Sequence, residues 1–336
     1  MKFDVVVGNP PYQESNGGGG NGKSAKSIYQ NFISAGLCMS KSVTLMITPN
    51  KWLTEDTDIS YKLRQNMLDC GNISYIKTYS NSWDVFPTIG NIAGGVGYVM
   101  HNKKNKKNKT IIVNDIHGDL VRTNIKYDSS DIFINDVIGL NILNKINEVD
   151  GNNARLNLLV KPSNYFGLDS NFDGDNLGDN LGDNLGDNLE CKVYTSSGVK
   201  LMDYEKLTKG LDLVHSFKVL TSKYLPSGGF ADKQGKFKVL SKSDVLKPLE
   251  ICTQSYLVIG PFDNEEQAKR IEKYLKFKFT RYLIHLAISG LSLNGSSFRF
   301  VPIIDLDRDI TEESMYEKYN ISLNEQKHIE SVIKDF

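Results

Sequence analysis

The chain has 336 residues with 40 Lys+Arg against 40 Asp+Glu, a formal charge of zero, so nothing in its overall charge announces a nucleic-acid partner and only local patches can. Its length suggests about two domains, and 40% hydrophobic with 24% charged residues excludes wholesale disorder. Four scattered cysteines (Cys38, Cys70, Cys191, Cys252) with no CxxC pair argue against a disulfide scaffold or a Cys-rich zinc site and suit a reducing cytoplasm, and no apolar run is long enough for a signal peptide or a membrane span.

Phe3 to Val7 (FDVVV) reads as a buried strand ended by Gly8 and two prolines. Ser27 to Ala35 reads as a helix with Ile28, Phe32 and Ala35 on its inner face. Val43 to Thr48 reads as a second strand, Trp52 to Leu68 as helical, and Ile73–Thr78 and Asn91–Met100 as two further strands. This alternation predicts an α/β sheet of mostly parallel order. At His101 the composition changes to HNKKNKKNKT, which places a boundary there: 1–102 and 103–336, the second part irregular α+β. Within it, 174–189 is GDNL four times over, read as a surface insertion grown by repeat slippage; a metal-binding Asp ladder is the weaker reading. Tyr256 to Ile259 reads as a strand. Asp263, with Glu266 three residues on, reads as a capping box opening one helix to Ile288, and helices follow at 311–319 and from Ser322 to Lys334.

Asn9-Pro10-Pro11-Tyr12 follows directly on the first apolar strand, and the carboxyl edge of such strands is where α/β sheets place ligands. With SIYQNFI, VTLMITPNKWL, WDVFP and IAGGVGYVM behind it, the segment resembles the NPPY-type adenine-N6 DNA methyltransferases of restriction–modification systems. FGLDSNF, RYLIHL, SFRFVPIIDL and the DITEESMYEKYNIS tail resemble the target-recognition portion of one methylase subfamily.

The resemblance implies S-adenosylmethionine as methyl donor and double-stranded DNA with a flipped adenine as acceptor. The adenine N6 lone pair is delocalised into the ring. The Asn9 carboxamide oxygen and the Pro10 carbonyl would accept its two hydrogens and aim that lone pair at the methyl group, the prolines fixing the carbonyl's direction. Tyr12 and Phe86 would sandwich the base, and Asn9 and Pro11 would border the cofactor. In this class the cofactor-binding half normally precedes the NPPY strand, and no strand–Gly-loop–helix unit appears later. The fold expected is therefore an incomplete Rossmann-like methyltransferase sheet, its C-terminal half, followed by a target-recognition domain. A second polypeptide would supply the missing half. The alternative is a non-catalytic DNA-recognition subunit or a truncated remnant.

Gly17 to Ser24 (GGGGNGKS) fits the P-loop pattern, but eight residues with two prolines separate it from the strand, so a flexible loop is preferred to triphosphate binding. Lys103, Lys104, Lys106 and Lys107 are candidate phosphate contacts, against a solvated turn. Lys273 and Arg281 lie in a basic stretch interleaved with Tyr274, Phe277 and Phe279, which suits DNA but suits a core more. The five histidines form no metal-ligand spacing.

Overall fold

The computed structural model describes residues 2–14, 27–54, 58–68, 72–79, 82–88, 92, 94–104, 110–114, 120–124, 132–134, 136–151, 154–176, 189–288 and 290–336. The chain forms two compact units, Met1–Leu140 and Asn141–Phe336. Among the described residues no helix is long and apolar enough to cross a membrane.

In the first unit, β1 (Phe3–Gly8), α1 (Tyr29–Met39), β2 (Ser40–Pro49), α2 (Lys51–Thr54), α3 (Asp58–Leu68), β3 (Ile73–Tyr79), β4 (Val96–Asn102), β5 (Thr110–Asn114) and β6 (Leu120–Asn124) build one sheet and a helical layer. The sheet order is β1-β2-β4-β3-β5-β6. β1 runs parallel to β2 and β3 to β5, while β4 is antiparallel to both β2 and β3 and β6 to β5. The sheet is mixed, not mostly parallel, because β4 enters between β2 and β3 by reversing the chain after β3. β5 and β6 extend the same sheet, and the first compact unit runs to Leu140.

One face of the sheet carries the core: Tyr29, Ile33, Trp52, Leu63, Met67, Ile76 and Val99 pack together under α1 to α3. α1 presents Tyr29, Ile33 and Gly36 to the sheet, one step round from the expected Ile28–Phe32–Ala35 face, and Phe32 is 41% exposed. Gly36 decides this. A Cβ there would meet Met46 Cε at 2.6 Å and Thr44 Cγ2 at 3.1 Å, so the helix comes closest where it has no side chain. The other face alternates with the first: Val5 and Val7 register with Val43 and Leu45, and Leu45 and Ile47 with Met100 and Tyr98. These residues lie outside the core cluster and are half-buried or exposed.

The second unit comprises most of α4 (Val137–Asp150), then β7 (Asp175–Asn176), β8 (Glu190–Thr195), β9 (Gly198–Asp203), α5 (Leu211–Val214), β10 (Phe217–Ser222), β11 (Ser243–Leu246), β12 (Glu250–Cys252), β13 (Tyr256–Phe262), α6 (Glu265–Lys276), α7 (Lys278–Leu286), α8 (Glu312–Lys318) and α9 (Leu323–Val332). Two sheets form, β11-β10-β13 and β12-β8-β9-β7. The first GDNL copy contributes Asp175–Asn176 as an edge strand on β9, a strand where its composition predicts none; 177–188 lie outside the described residues. α6 is capped by Asn264, which accepts from Gln267 N, one residue later than the expected Asp263–Glu266 box. The expected continuous helix breaks at Phe277, whose ψ of 140° is extended. The capping boxes at Thr311–Ser314 and Ser322–Glu325 open α8 and α9. The chain after α9 pairs back on Phe237: Phe237 N donates to Val332 O and Lys334 N to Phe237 O.

Candidate functional site

β1, β2 and β3 all point the same way, since β4 is antiparallel to its two neighbours. Their carboxyl ends therefore share one edge of the sheet. Three segments converge there: Asn9–Tyr12 after β1, Asn50 after β2, and the turn Ser82–Phe86 after β3. Asn9 and Pro11 are exposed and Pro10 is buried. The residue before each proline is held extended, so Asn9 leaves the strand projecting beyond the sheet. Tyr12 is half-buried and packs against the core cluster, and its carbonyl accepts from Ile28 N at 3.1 Å. Gln13 and Ser27 form a bridge; the P-loop-like Gly17–Ser24 lies outside the described residues. The Tyr12 hydroxyl is buried without a hydrogen-bond partner among the described residues, and burial raises its pKa.

Asn50 was missed by motif reading. Its Nδ2 donates to Tyr79 O (3.4 Å) and Gly94 O (3.2 Å), its backbone N–H to Gly95 O (3.1 Å), and its own carbonyl accepts from Leu53 N at the start of α2. One side chain thus ties the ends of β2, β3 and β4. The signal available was an Asn directly after a strand-ending proline, a position suited to capping. The Ser82 hydroxyl, in a residue 1% exposed, accepts from Ile92 N at 2.9 Å, and the Ser82 carbonyl accepts from Phe86 N at 2.8 Å. This fixes the turn that carries both Phe86, half-buried, and Trp83, 52% exposed. Trp83 is the more open ring, and no motif singles it out.

The basic candidates fare differently. Lys103 Nζ donates to Leu37 O and Ser40 O, both at 2.6 Å, and so closes the end of α1. Lys104 is exposed, and Lys106 and Lys107 lie outside the described residues. Lys273 is paired with Asp309 at 3.0 Å. Arg281 is a correction: it is 2% exposed, donates to Lys276 O (3.1 Å) and to Lys334 O, and braces the break between α6 and α7 instead of facing solvent. Tyr274 and Phe279 are fully buried in the core and Phe277 is half-buried. The face of α6 that holds Ala268, Ile271, Tyr274 and Leu275 is turned inward on β10, β11 and β13.

Residues 1–86 match the family model described as Eco57I restriction-modification methylase. The matched stretch contains Asn9–Tyr12, Asn50, Trp83 and Phe86. A protein of Mycoplasma pneumoniae described as an uncharacterized adenine-specific methylase is 38% identical over 112 residues, 33% of this chain and 26% of that relative. The resemblance to adenine-specific restriction–modification methylases therefore holds for the first part of the chain, and the chain spans about a quarter of the length of that relative. Among solved structures, the type I restriction-modification methyltransferase subunit from Streptococcus thermophilus is similar at 19% identity over 36% of this chain and 29% of that one, TM-score 0.27. The type IIL enzyme MmeI, solved in complex with DNA, is similar at 10% identity over 88% of this chain and 46% of that one, TM-score 0.44.

Proposed function

We propose that this chain carries the base pocket and the DNA-recognition region of an S-adenosylmethionine-dependent adenine-N6 DNA methyltransferase of a restriction–modification system. The observation that carries the reading is the exposed Asn9 at the carboxyl edge of three co-directional strands, with Tyr12, Trp83 and Phe86 on loops of that same edge. Asn9 and the Pro10 carbonyl orient the amino group and take up its two hydrogens as acceptors. Tyr12 on one loop and Phe86 or Trp83 on another supply aromatic faces for an extruded adenine. S-adenosylmethionine, when bound, supplies an electrophilic methyl group. Asn9 and Pro11, both exposed, would form one wall of its site.

The remaining walls belong beside β1. Among the described residues that strand is the sheet's edge, with Phe3, Val5 and Val7 at 47%, 55% and 64% exposure, an apolar surface that completed sheets cover. We read the sheet as the C-terminal half of a Rossmann-like methyltransferase sheet, completed by a cofactor-binding half. The same bare edge favours the second reading, a DNA-recognition subunit without catalysis of its own.

The test is S-adenosylmethionine binding by calorimetry, on the chain alone and with the product of the adjacent upstream gene, followed by DNA methylation by the competent species. Asn9→Ala is expected to lower kcat by about 100-fold or more while leaving duplex affinity unchanged. Wild-type turnover by Asn9→Ala sinks the catalytic reading. Comparing Phe86→Ala with Trp83→Ala identifies the stacking ring, since only loss of that ring raises KM and lowers kcat together.

A further inference from the structure

Lysines of the second unit are commonly tied to carboxylates: Lys192 to Glu250, Lys269 to Glu265 and Glu266, Lys273 to Asp309, Lys278 to Glu330 and Asp335. Lysines also lie over tyrosine rings: Lys318, tied to Asp150, over Tyr319, and three more, of which Lys161 and Lys223 have no carboxylate partner among the described residues. Lys161 Nζ lies 5.7 Å from the Tyr165 ring centre, Lys223 5.5 Å from Tyr224, and Lys242 5.3 Å from Tyr256 and 5.9 Å from Tyr194. All three stations gather at one end of the β11-β10-β13 sheet. Ser222, the last residue of β10, pairs with Tyr256, the first of β13, and Ser222 N donates to Lys242 O just before β11. The segment through Lys161 runs alongside β13, with Lys161 N donating to Val258 O, and Lys223 Nζ donates to the Ser163 hydroxyl at 2.7 Å.

The rings are held in place. The Tyr165 hydroxyl donates to Asp212 at 2.6 Å, the Tyr256 hydroxyl donates to Thr195 O at 3.2 Å, and Tyr224 stays 59% exposed beside its bridge to Ser292. Among the described residues Lys161 and Lys223 make no ion pair, and Lys242 has one, to Asp244 at 3.4 Å. An ammonium held over an aromatic face is positioned in advance yet keeps N–H donors free. Three such groups along one sheet end, with an open ring among them, suit a row of phosphates flanked by sugars and bases.

We propose that this end of the β11-β10-β13 sheet, through Lys161, Lys223 and Lys242 with Tyr224, is the duplex-DNA phosphate-contacting surface of the second unit. The identity of the anion as DNA rests on the function proposed above; the location of the surface does not. Lys223 and Lys161 supply the phosphate contacts, Lys242 joins them by exchanging Asp244 for phosphate, and Tyr224 lies against the sugar–base edge.

The test is fluorescence anisotropy of a labelled duplex titrated with the full chain over a salt series. Lys161→Gln, Lys223→Gln and Lys242→Gln combined, which keep the stems and leave the fold intact by circular dichroism, are expected to weaken binding tenfold or more. The slope of log K against log salt is expected to fall by roughly 2 to 3, about one for each lost phosphate contact. Tyr224→Ala is expected to weaken binding with the slope unchanged, and Lys273→Gln to change neither. An unchanged slope in the triple variant, or an equal loss in Lys273→Gln, overturns the surface. Absence of duplex binding by the wild-type chain even at low salt overturns it together with DNA recognition by this unit. If a methylation-competent complex carrying Asn9→Ala turns over like wild type while the triple variant loses duplex binding, the catalytic reading fails and the surface stands.

Discussion

Tyr12 keeps its ring against the core of the first unit and its hydroxyl where no described group bonds it. An orphaned buried hydroxyl is destabilising, so Tyr12→Phe is expected to raise stability by about 1 kcal/mol in urea unfolding. If the ring alone serves the base, methylation survives that change and is lost in Tyr12→Ala. Lys218, fully buried in the second unit, donates to Val214 O, Ser216 O and Lys247 O. Desolvation lowers its pKa from the usual 10.5 to about 8. Below pH 8 the amine is charged in both states and the fold carries the whole cost of burying it. Between about 8 and 10.5 the folded state releases the proton while the unfolded state keeps it, so stability gains on the order of 3 kcal/mol across that window. The buried thiol of Cys252, pushed up to about 12, works in the opposite sense as pH rises. The quantity to measure is therefore wild type minus Lys218→Met. That difference is expected to rise with pH from 8 to 10.5, and a flat difference removes the desolvation argument.

Among the elements, β4 depends on the absence of one side chain. A Cβ on Gly97 would lie 2.4 Å from Asn50 Oδ1 and 2.5 Å from Lys77 O, one a flexible group and the other backbone. Gly97→Ala is expected to cost about 1 to 3 kcal/mol, read as a shift in the urea midpoint, and to free the Asn50 tie between strand ends. A midpoint within error of wild type means the strand yields at no cost. The strands FDVVV, VTLMIT and ISYIKT were legible because consecutive β-branched and apolar residues have few alternatives, but FDVVV, expected to be buried, lies at the sheet edge with Phe3, Val5 and Val7 exposed. The inner face of α1 was not, because Phe32 outranks Gly36 in hydrophobicity, whereas close approach to Thr44 and Met46 is what selects the face. The helix break at Phe277 was likewise hidden: helical spacing continues through it, and only the Arg281 guanidinium on Lys276 O shows that the gap is filled. At the site, Asn9 and Tyr12 could be read from a contiguous motif. Asn50 could not, because its role exists only once β2, β3 and β4 are side by side.

For the molecule as a whole, β1 is the exposed surface with the largest consequence. Its apolar residues are open, and its neighbour Lys41 reaches Asp4 at 3.6 Å in an exposed pair that contributes little. Without a covering strand such an edge templates self-pairing. The chain alone is expected to self-associate with concentration in light scattering, and Val5→Lys with Val7→Lys to restore a monomer. The same two changes are expected to abolish capture of a cofactor-binding half. A wild-type chain that stays monomeric at high concentration means the edge is protected by other means. At the far end of the second unit, Val332 and Lys334 close on Phe237, and Lys334 receives the buried Arg281. During synthesis, this unit cannot complete its core until Val332 to Lys334 have emerged from the ribosome. Chains interrupted before Val332 therefore meet the cell's proteases with the core of the second unit unclosed, so its quality control amounts to a check that translation got that far.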